Sequence, residues 1–301
     1  MERSEAASLV ETLQEYIERH INEPITLHEL AAKAGYSPWH LTRLFKEVTG
    51  RTPFDYIRLR RLTRAALSLR DGDRKVIDVA LDFVFDSQEG FTRAFSREFG
   101  IAPGRYQSKT PAIQLFMPEG AYRSYRALHP VPPAKERMRD MAKTIFVQVI
   151  ERPERKCLLK RGERADEYFA YCEEVGCDVW GVFSSVKEAL YEPIGMWLPK
   201  SMRPNGTSEY VQGVELPMDY DKPVPEGYEL AVFPACTMMV FQGEPYDDEQ
   251  FSEAIGEVLK HIERFDPKLY GYRWAPEAGP SFQLSPMGYR GYIEARPVEK
   301  I

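Results

Sequence analysis

The sequence predicts a multidomain protein, with an all-α amino-terminal domain of tandem helix-turn-helix units and an α+β carboxyl-terminal domain of duplicated β-α-β-β units. Three observations predict this fold. Residues 27–56 are repeated over residues 76–106 with helical periodicity. A fainter repeat, at an offset of 81 residues, occupies the carboxyl half. Prolines interrupt any periodicity between the two. We therefore expect domains over residues 1–107 and 144–301, joined by a linker over 108–143.

The first repeat has two blocks whose offsets differ by one residue. The run 41–45 recurs as 91–95, and Gly50 lies fifty residues before Gly100. Upstream the offset is forty-nine, which pairs Leu27 with Val76. A turn that differs by one residue between the copies explains this shift. Each copy is therefore predicted to be a helix, a tight turn and a second helix, the arrangement of a helix-turn-helix.

Capping residues predict where the helices of the amino-terminal domain begin. An apolar stripe predicts a leading helix over residues 5–21. Thr26 is a cap for the next helix, and Gly35 suits the tight turn after it. Ser37 followed by Pro38 begins the first recognition helix. A long helix then runs from 52 to about 70, and the second recognition helix begins at Ser87.

In the carboxyl half, each copy of the fainter repeat has an apolar run, an acidic helix start and two strand-like runs. The predicted helices span 164–176 and 247–264, and the paired strands span 195–198 with 209–216 and 281–284 with 291–296. A strand, a helix and two strands, used twice, predict a two-lobed domain with a groove between the lobes. A further extended piece is predicted over 112–117, within the linker.

Composition restricts the class of protein. Hydrophobic residues at 43% and charged residues at 29% are ordinary for a globular protein. The sequence contains no run of eighteen apolar residues, the length needed to cross a membrane. The amino terminus has no signal-peptide pattern, so we expect a cytoplasmic protein. Four cysteines without paired spacing are interpreted as idle thiols. The histidines have no metal-ligand spacing, and the sequence has no glycine motif of the kind that holds a nucleophile or a phosphate. We therefore expect no metal, no cofactor, no catalytic residues and no enzyme activity.

Charge is distributed unequally along the chain. Residues 1–110 hold 17 Lys and Arg against 16 Asp and Glu, a net charge of +1, whereas the remainder holds 23 against 30, a net charge of −7. Because neither half is strongly basic, any affinity for DNA must come from individually placed side chains. Arg58, Arg60, Arg61 and Arg64 on the long helix are interpreted either as phosphate contacts or as solvated surface residues.

The outward faces of the two recognition helices carry residues suited to DNA bases. Arginine can donate two hydrogen bonds to guanine, glutamine can bind adenine in the same way, and threonine suits a phosphate or a thymine methyl group. A solvated helix face is the alternative, but two matched copies favour double-stranded DNA. The candidate DNA-binding residues are Trp39, Thr42, Arg43, Lys46, Gln88, Glu89, Thr92, Arg93 and Arg97.

Residues 5–107, and the run 91–103 above all, resemble the tandem helix-turn-helix domain of AraC-family transcriptional regulators. The resemblance implies that the candidate residues face bases and nearby backbone in promoter DNA. One departure is Val84, which stands where the family usually has glycine in the second turn. A β-branched residue resists left-handed backbone geometry, so we expect another conformation or strain there, and a weaker second recognition helix.

Residues 144–299 resemble GyrI-like small-molecule-binding domains, on the runs 211–217, 225–227 and 233–235. The resemblance implies a ligand between the lobes, held by aromatic walls and commonly by a buried glutamate. Gln283 stands where that glutamate is expected, and the loss of charge favours a neutral or polar aromatic effector over a dication. The candidate ligand-binding residues are Tyr168, Tyr171, Trp180, Trp197, Tyr210, Glu215, Tyr272, Trp274, Phe282 and Gln283.

These inferences together predict a ligand-responsive transcriptional regulator, an activator of the AraC family with an effector-binding, multidrug-binding type of carboxyl domain. Its expected partners are promoter DNA and a small organic effector, with RNA polymerase as a further candidate, and the chain can act as a monomer. Two alternatives stay open. One is a constitutive activator whose carboxyl domain is structural or contacts proteins. The other is a regulator with an appended hydrolase activity, for which Glu215 would supply the carboxylate.

Overall fold

The computed structural model of the chain describes residues 3–118, 144–247 and 250–301, and the chain divides into two compact units, 1–119 and 120–301. The first unit therefore extends past residue 107, where the sequence places the start of a linker. Of the predicted linker, residues 119–143 lie outside the described residues. Among the helices that are described, none is both long and apolar enough to span a bilayer.

Within residues 3–118, the first unit consists of seven helices. They are α1 (Arg3–Arg19), α2 (Leu27–Ala34), α3 (Pro38–Thr49), α4 (Pro53–Asp71), α5 (Val76–Asp82), α6 (Gln88–Phe99) and α7 (Pro103–Lys109). The pairs α2–α3 and α5–α6 are the two predicted helix-turn-helix units, and α4 joins them. One hydrophobic core, which includes Leu41, Phe45, Phe91 and Phe95, lies beneath both pairs.

Side-chain caps begin the helices at the predicted residues. Thr26 accepts a hydrogen bond from the Glu29 N–H at 3.2 Å, and Ser87 accepts one from the Gly90 N–H at 3.1 Å. Such caps satisfy N–H groups that have no partner inside the helix. Gly35 ends α2 with φ of 69°, a left-handed conformation that glycine adopts without a Cβ clash.

Val84 occupies the corresponding turn in the second unit and has φ of 60°. This confirms that the turn keeps the left-handed geometry despite its β-branched residue, so the backbone is strained there. The Phe85 N–H still donates to the Ala80 carbonyl at 3.0 Å, as the Tyr36 N–H donates to Ala31 at 3.0 Å in the first unit. The required turn geometry has therefore prevailed over the intrinsic preference of valine.

A buried ion pair lies between α1 and α4. Arg60 is fully buried and contacts Glu18 through Nε and, at 2.9 Å, through Nη2, while its Nη1 donates to the Phe116 carbonyl at 3.0 Å. Arg64 Nη2 lies 3.2 Å from the same Glu18 carboxylate. Burial alone would raise the pKa of Glu18, but the guanidiniums of Arg60 and Arg64 lower it below its ordinary value.

These contacts correct the interpretation of the α4 arginines as phosphate contacts or solvated surface residues. Most of these arginines instead bind groups within the described part of the chain. Arg60 and Arg64 bind Glu18, and Arg61 donates to the carbonyls of Ile21 at 3.0 Å and Glu23 at 2.6 Å. Arg58 remains partly exposed, near Glu98 at 3.8 Å. The sequence missed these roles because a charged residue at a helical position gives no sign of its partner on another helix.

Residues 110–118, which the sequence assigns to the linker, pack on α4 instead. Leu115 is fully buried, and the ring of Phe116 meets that of Tyr56 edge-on at 5.4 Å between centroids. The Phe116 N–H donates to Thr63 Oγ1 at 3.1 Å. With its carbonyl on Arg60, Phe116 thus has both backbone polar groups satisfied by α4, so this segment belongs to the helical unit.

The second unit is built from nine strands and three α-helices within the described residues. The strands are β1 (Phe146–Arg152), β2 (Arg155–Arg161), β3 (Ile194–Trp197), β4 (Tyr210–Leu216), β5 (Glu229–Phe233), β6 (Cys236–Gln242), β7 (Tyr272–Trp274), β8 (Ser281–Leu284) and β9 (Ile293–Lys300). The helices are α8 (Tyr168–Val175), α9 (Val179–Ser185) and α10 (Phe251–Arg264). This is a sheet domain with helices, as predicted.

The strands form one antiparallel sheet in the order β1-β6-β9-β8-β3-β4-β2-β5, with β7 added beside β9. Only two residues join β1 to β2, although they lie six strands apart in this order. A flat sheet would separate them by roughly 29 Å, whereas two linking residues reach about 11 Å. The sheet must therefore curl, and its inner face holds an apolar core that includes Leu159, Met196 and Val240.

We expect the substitution Val84→Gly to raise the free energy of unfolding of the helical unit by about 1 kcal/mol, because it removes the left-handed strain. Chemical denaturation measures the change. Gly35→Val is the matched control and should lower the free energy of unfolding by a similar amount. An added Cβ there meets no atom within 4 Å, so the left-handed backbone strain is the main change. A Val84→Gly variant less stable than the parent would show that Val84 packing outweighs its strain.

We expect Glu18→Gln to lower the free energy of unfolding by about 3 kcal/mol at neutral pH, because it leaves Arg60 buried without a carboxylate. Since the pKa of Glu18 is depressed in the folded state, this stability is present above the unfolded pKa of about 4.3 and is lost as pH falls through the folded value. Denaturation curves between neutral pH and pH ~3 should show that the difference in free energy of unfolding between the parent and Glu18→Gln decreases as the pH falls.

The control for this substitution is Glu15→Gln, which removes an exposed carboxylate 3.1 Å from Arg19 on the same helix. An exposed pair of this kind contributes about 0.5 kcal/mol or less. If Glu18→Gln behaved like Glu15→Gln, the buried pair would not stabilise the unit as we infer.

Candidate nucleic-acid interface and ligand groove

The recognition helices α3 and α6 each bury one face and expose the other. In α3, Leu41, Leu44 and Phe45 are buried, and in α6, Phe91 and Phe95 are buried. Of the nine candidate DNA-binding residues, Thr42 and Thr92 are half-buried and the rest are exposed: Trp39, Arg43, Lys46, Gln88, Glu89, Arg93 and Arg97. The predicted residues therefore lie on the outward faces of the two helices.

Arg43 is positioned by two neighbours on its own helix. Its guanidinium carbon lies 5.3 Å from the centroid of the Trp39 ring, and its Nε lies 3.3 Å from Glu47 Oε1. Trp39 is itself 70% exposed, so this stacking occurs at the surface. Such contacts restrict the rotamers of a long side chain, and an arginine that is already ordered loses less entropy when it binds a base.

An open depression of about 380 Å³ lies beside Arg43, and its lining includes Leu27, Trp39 and Thr42. The Thr42 hydroxyl donates to the Pro38 carbonyl at 2.8 Å, within the first turn of α3. Since this hydrogen bond uses the only donor of Thr42, the side chain keeps its methyl group and an acceptor oxygen for outward contact, but it has no donor left for a phosphate. The depression therefore combines apolar walls with a cationic rim.

In the second unit, a row of polar side chains crosses the middle of the outer face of the sheet. Gln283 Nε2 donates to the Tyr210 hydroxyl at 2.9 Å. The Tyr292 hydroxyl lies 2.9 Å from Gln283 Oε1 and 2.8 Å from Glu294 Oε2. Arg296 Nη2 lies 2.9 Å from the other Glu294 oxygen. These five residues form one continuous hydrogen-bonded row over β4, β8 and β9, with Tyr292 directly before β9.

Strand register explains why these side chains share one face. Gly195 pairs with Gln212 on one side and with Gln283 on the other, and Gln283 pairs with Glu294. Residues directly opposite each other in antiparallel strands point to the same face. A Cβ built on Gly195 would lie only 2.0 Å from the Tyr210 hydroxyl oxygen, so the glycine makes room for that hydroxyl.

Aromatic residues from α8, α9 and β3 flank one end of this polar row. The rings of Trp197 and Tyr171 lie 5.1 and 5.6 Å from the ring of Tyr210. Trp180 Nε1 donates to Gln212 Oε1 at 2.8 Å. Burial raises the pKa of Tyr210 and of Tyr171 above the ordinary value, so both hydroxyls stay protonated donors at neutral pH.

The remaining candidate ligand residues lie in three other places. Phe282 is in the inner core of the curled sheet. Glu215 is buried and pairs with Arg152 and, at 2.6 Å, with Arg155 Nε. Alternate residues of a strand point to the same face, so Glu215 shares a face of β4 with Gly213 and Val211. Val211 belongs to the inner core. The Glu215 carboxylate is thus engaged by two arginines on that inner face.

Tyr272 and Trp274 pack under α10 in a separate cluster with Phe241 and Phe265. Tyr168 is half-buried at the start of α8. Since Phe241 pairs in register with Glu294, α10 and the polar row lie on the same outer face. The row therefore lies between the aromatic cluster of α8 and α9 and that of α10.

Sequence reasoning missed three residues of this row, Tyr292, Glu294 and Arg296, and also Gln212, which accepts the hydrogen bond from Trp180 beside the row. A signal was present, because over residues 292–296 the residues Tyr292, Glu294 and Arg296 alternate with apolar or small residues. The alternation shows that they share a face, but their pairing with Gln283 depends on strand register. Within the described residues, no group of three or more His, Cys, Asp or Glu side chains could hold a metal ion.

Comparison with known proteins supports the assignment of the first unit. Residues 30–109 match the model of a family described as a helix-turn-helix domain. The chain is 46% identical over 110 residues to the right origin-binding protein of Escherichia coli strain K12, over 36% of this chain and 38% of that protein. It is 43% identical over 101 residues to the regulatory protein SoxS of Salmonella typhimurium, over 34% of this chain and 94% of SoxS.

A solved structure also matches, a transcriptional regulator from Chromobacterium violaceum described by its AraC-type DNA-binding domain. The identity is 25%, the match covers 36% of this chain and 96% of that one, and the TM-score is 0.34.

A tandem helix-turn-helix fold with outward-facing arginines places the first unit in the class of DNA-binding domains. The near-complete coverage of SoxS at 43% identity identifies the family more narrowly. The chain belongs to the AraC family of transcriptional regulators. It spans only 38% of the length of its Escherichia coli relative, and that match lies in the amino-terminal part.

Proposed function

We propose that this protein is a sequence-specific DNA-binding transcriptional regulator whose second unit binds a small organic effector. The observation that carries the DNA-binding proposal is the pair of recognition helices, each capped at the same place and each presenting an exposed arginine, Arg43 or Arg93. Arginine is the residue that most often reads guanine in the major groove. Promoter DNA is the proposed partner, with RNA polymerase as a second one.

The spacing of the two helices supports contact with one face of a duplex. Helix α4 joins the two units and has 19 residues, a length of about 28 Å. Successive major grooves on one side of B-DNA are about 34 Å apart. A single chain with two recognition helices can therefore bind DNA as a monomer. The apolar depression at Trp39 and Thr42 suits a thymine methyl group beside the guanine of Arg43.

We expect Arg43→Ala to weaken binding to a selected operator by about 1–3 kcal/mol and to relax the preference at one base position. The operator is first obtained by selection from random duplexes, and affinities are then measured at fixed ionic strength. Arg93→Ala should have the same kind of effect with a smaller loss, because the strained turn at Val84 makes α6 the weaker recognition helix.

Arg19→Ala is the matched control, since Arg19 is a 68% exposed arginine on α1, outside both recognition helices. Equal weakening of all duplexes by Arg43→Ala would make Arg43 a phosphate contact and not a base contact. A parent protein that selects no duplex sequence would overturn the DNA-binding proposal itself.

The effector proposal rests on the polar row between two aromatic clusters, which has the composition of a small-molecule site. We infer that the unit is a GyrI-like domain, and that β2-α8-α9-β3-β4 and β6-α10-β7-β8-β9 are its two duplicated halves. The halves meet where β3 pairs with β8, next to Gly195 and Gln283. The effector would lie over this junction, against Trp197, Tyr210 and Gln283.

Charge balance in the row favours a neutral aromatic effector. Glu294 is a buried carboxylate, but Arg296 pairs with it at 2.9 Å and Tyr292 hydrogen-bonds to its other oxygen. The row therefore offers amide and hydroxyl groups for hydrogen bonds without an uncompensated negative charge. Effector binding would regulate transcription if its affinity differs between two states of the protein.

We expect some neutral aromatic compounds, in a panel of neutral and cationic ones, to raise the melting temperature, because ligands that bind the native state stabilise it. Gly195→Ala should abolish the shift by displacing Tyr210, whereas Gly256→Ala, at an open position in α10, should preserve it.

The absence of a shift with every compound would favour a constitutive activator with a structural or protein-contacting second unit. Turnover of a bound compound, detected by mass spectrometry, would instead support an appended hydrolase. Either result leaves the DNA-binding proposal untouched, because operator selection tests that proposal separately.

A further inference from the structure

Gln283 is the accessible group in the middle of the polar row. It is half-buried, whereas its neighbours Tyr210, Tyr292 and Glu294 are buried. Its amide contacts both tyrosine hydroxyls, each at 2.9 Å. A Cβ built on Gly195 would lie 3.2 Å from Gln283 Nε2, so the glycine leaves room beside the amide. A ligand over the junction of β3 and β8 can therefore reach this amide.

The hydrogens of the row assign it a direction. The Tyr292 hydroxyl has one proton and faces two acceptors, Gln283 Oε1 and Glu294 Oε2. The Glu294 carboxylate, paired with Arg296 at 2.9 Å, is the stronger acceptor because it is charged. Burial, together with the nearby Glu294, raises the pKa of Tyr292, so the proton stays on its hydroxyl. Tyr292 therefore donates to Glu294, and its oxygen is left to accept from Gln283.

A half-turn of the Gln283 amide supplies the hydrogen that Tyr292 accepts. The exchange of oxygen and nitrogen keeps the shape of the side chain. The amide then donates to Tyr292 and accepts from the Tyr210 hydroxyl, so that every contact of the row contains one hydrogen. Among the described residues, these contacts use one of the two amide N–H groups and one of the two acceptor sites of its oxygen. In either orientation, one donor and one acceptor are left for a ligand.

The aromatic flank of the row offers ring surface and little hydrogen bonding. The Trp197 indole N–H donates to the Asp166 carbonyl at 3.0 Å, and the Tyr171 hydroxyl donates to the Lys160 carbonyl at 2.8 Å. Both donors are thus satisfied within the unit. Flat rings pack well against such aromatic surfaces. Polar recognition of a flat ligand at this place therefore depends on Gln283.

We propose that Gln283 selects the effector, and that the effector is a neutral aromatic lactam, a flat ring whose edge carries an N–H next to a carbonyl oxygen. This inference rests on the effector proposal above and narrows its chemical class. The lactam N–H would donate to the Gln283 oxygen on the side of Tyr210, and the lactam oxygen would accept from the Gln283 amide on the side of Tyr292. A ring with acceptors alone, or a cation with donors alone, leaves one amide group unpaired and binds more weakly.

The test compares three bicyclic compounds by isothermal titration calorimetry with the full-length chain. They are 2-quinolone, which is a lactam, N-methyl-2-quinolone, which lacks the donor, and quinoline, which lacks both the donor and the carbonyl oxygen. We expect 2-quinolone to bind about tenfold or more tightly than either of the others, because only it pairs both free groups of the amide.

Two substitutions test the role of Gln283 itself. Gln283→Glu replaces the amide donor by an acceptor, so it should weaken 2-quinolone by about tenfold and favour protonated 2-aminoquinoline, whose edge has two donors. Gln148→Glu, at an exposed position of β1, makes the same change of charge and should leave both affinities unchanged. Gln283→Met removes both polar groups at similar length and should bind 2-quinolone and N-methyl-2-quinolone equally. It keeps the test decisive if the melting curve shows that Gln283→Glu does not fold.

The possible failures are distinguishable. Equal binding of 2-quinolone and N-methyl-2-quinolone by the parent chain would overturn the lactam inference and leave the effector proposal standing. A preference for 2-quinolone that survives in Gln283→Met would show that another residue selects the effector. Binding by none of these compounds, and none of the wider aromatic panel, would overturn the effector proposal and this inference with it.

Discussion

The buried ion pair between Glu18 and Arg60 is the contact on which the helical unit most depends. Arg60 lies on α4, the helix that joins the two helix-turn-helix units, and it binds α1 through Glu18 and the segment 110–118 through Phe116. A buried guanidinium has to be paired, because desolvating it alone costs several kcal/mol. The positions of α1, α4 and the terminal segment are therefore coupled through one side chain, and the recognition helices pack on the same core.

The second unit depends on a different constraint, the curl of its sheet. Short links between strands that are distant in the sheet order force the inner face to enclose an apolar core, which leaves the outer face for the helices and the polar row. On that outer face, Gly195 gives the Tyr210 hydroxyl the space to reach Gln283. Backbone topology thus determines which side chains meet, and local sequence determines what chemistry they offer.

Much of the helical unit was predictable because its signals are local. Caps such as Thr26 and Ser87, the glycine turn at Gly35 and the apolar spacing of α3 and α6 act within a few residues. The left-handed turn at Val84 was predicted only as an alternative, because local preference opposed what the repeat implied. The candidate ligand site was predicted less fully, because partnerships such as Tyr292 with Gln283 depend on register between strands.

The sequence by itself determined the tandem repeat, the helix boundaries and the outward face of each recognition helix, because periodicity and capping are short-range properties. Only the tertiary structure decided the roles of Arg60, Glu215 and Glu294, since the cost of a buried charge is set by partners that are distant in the chain.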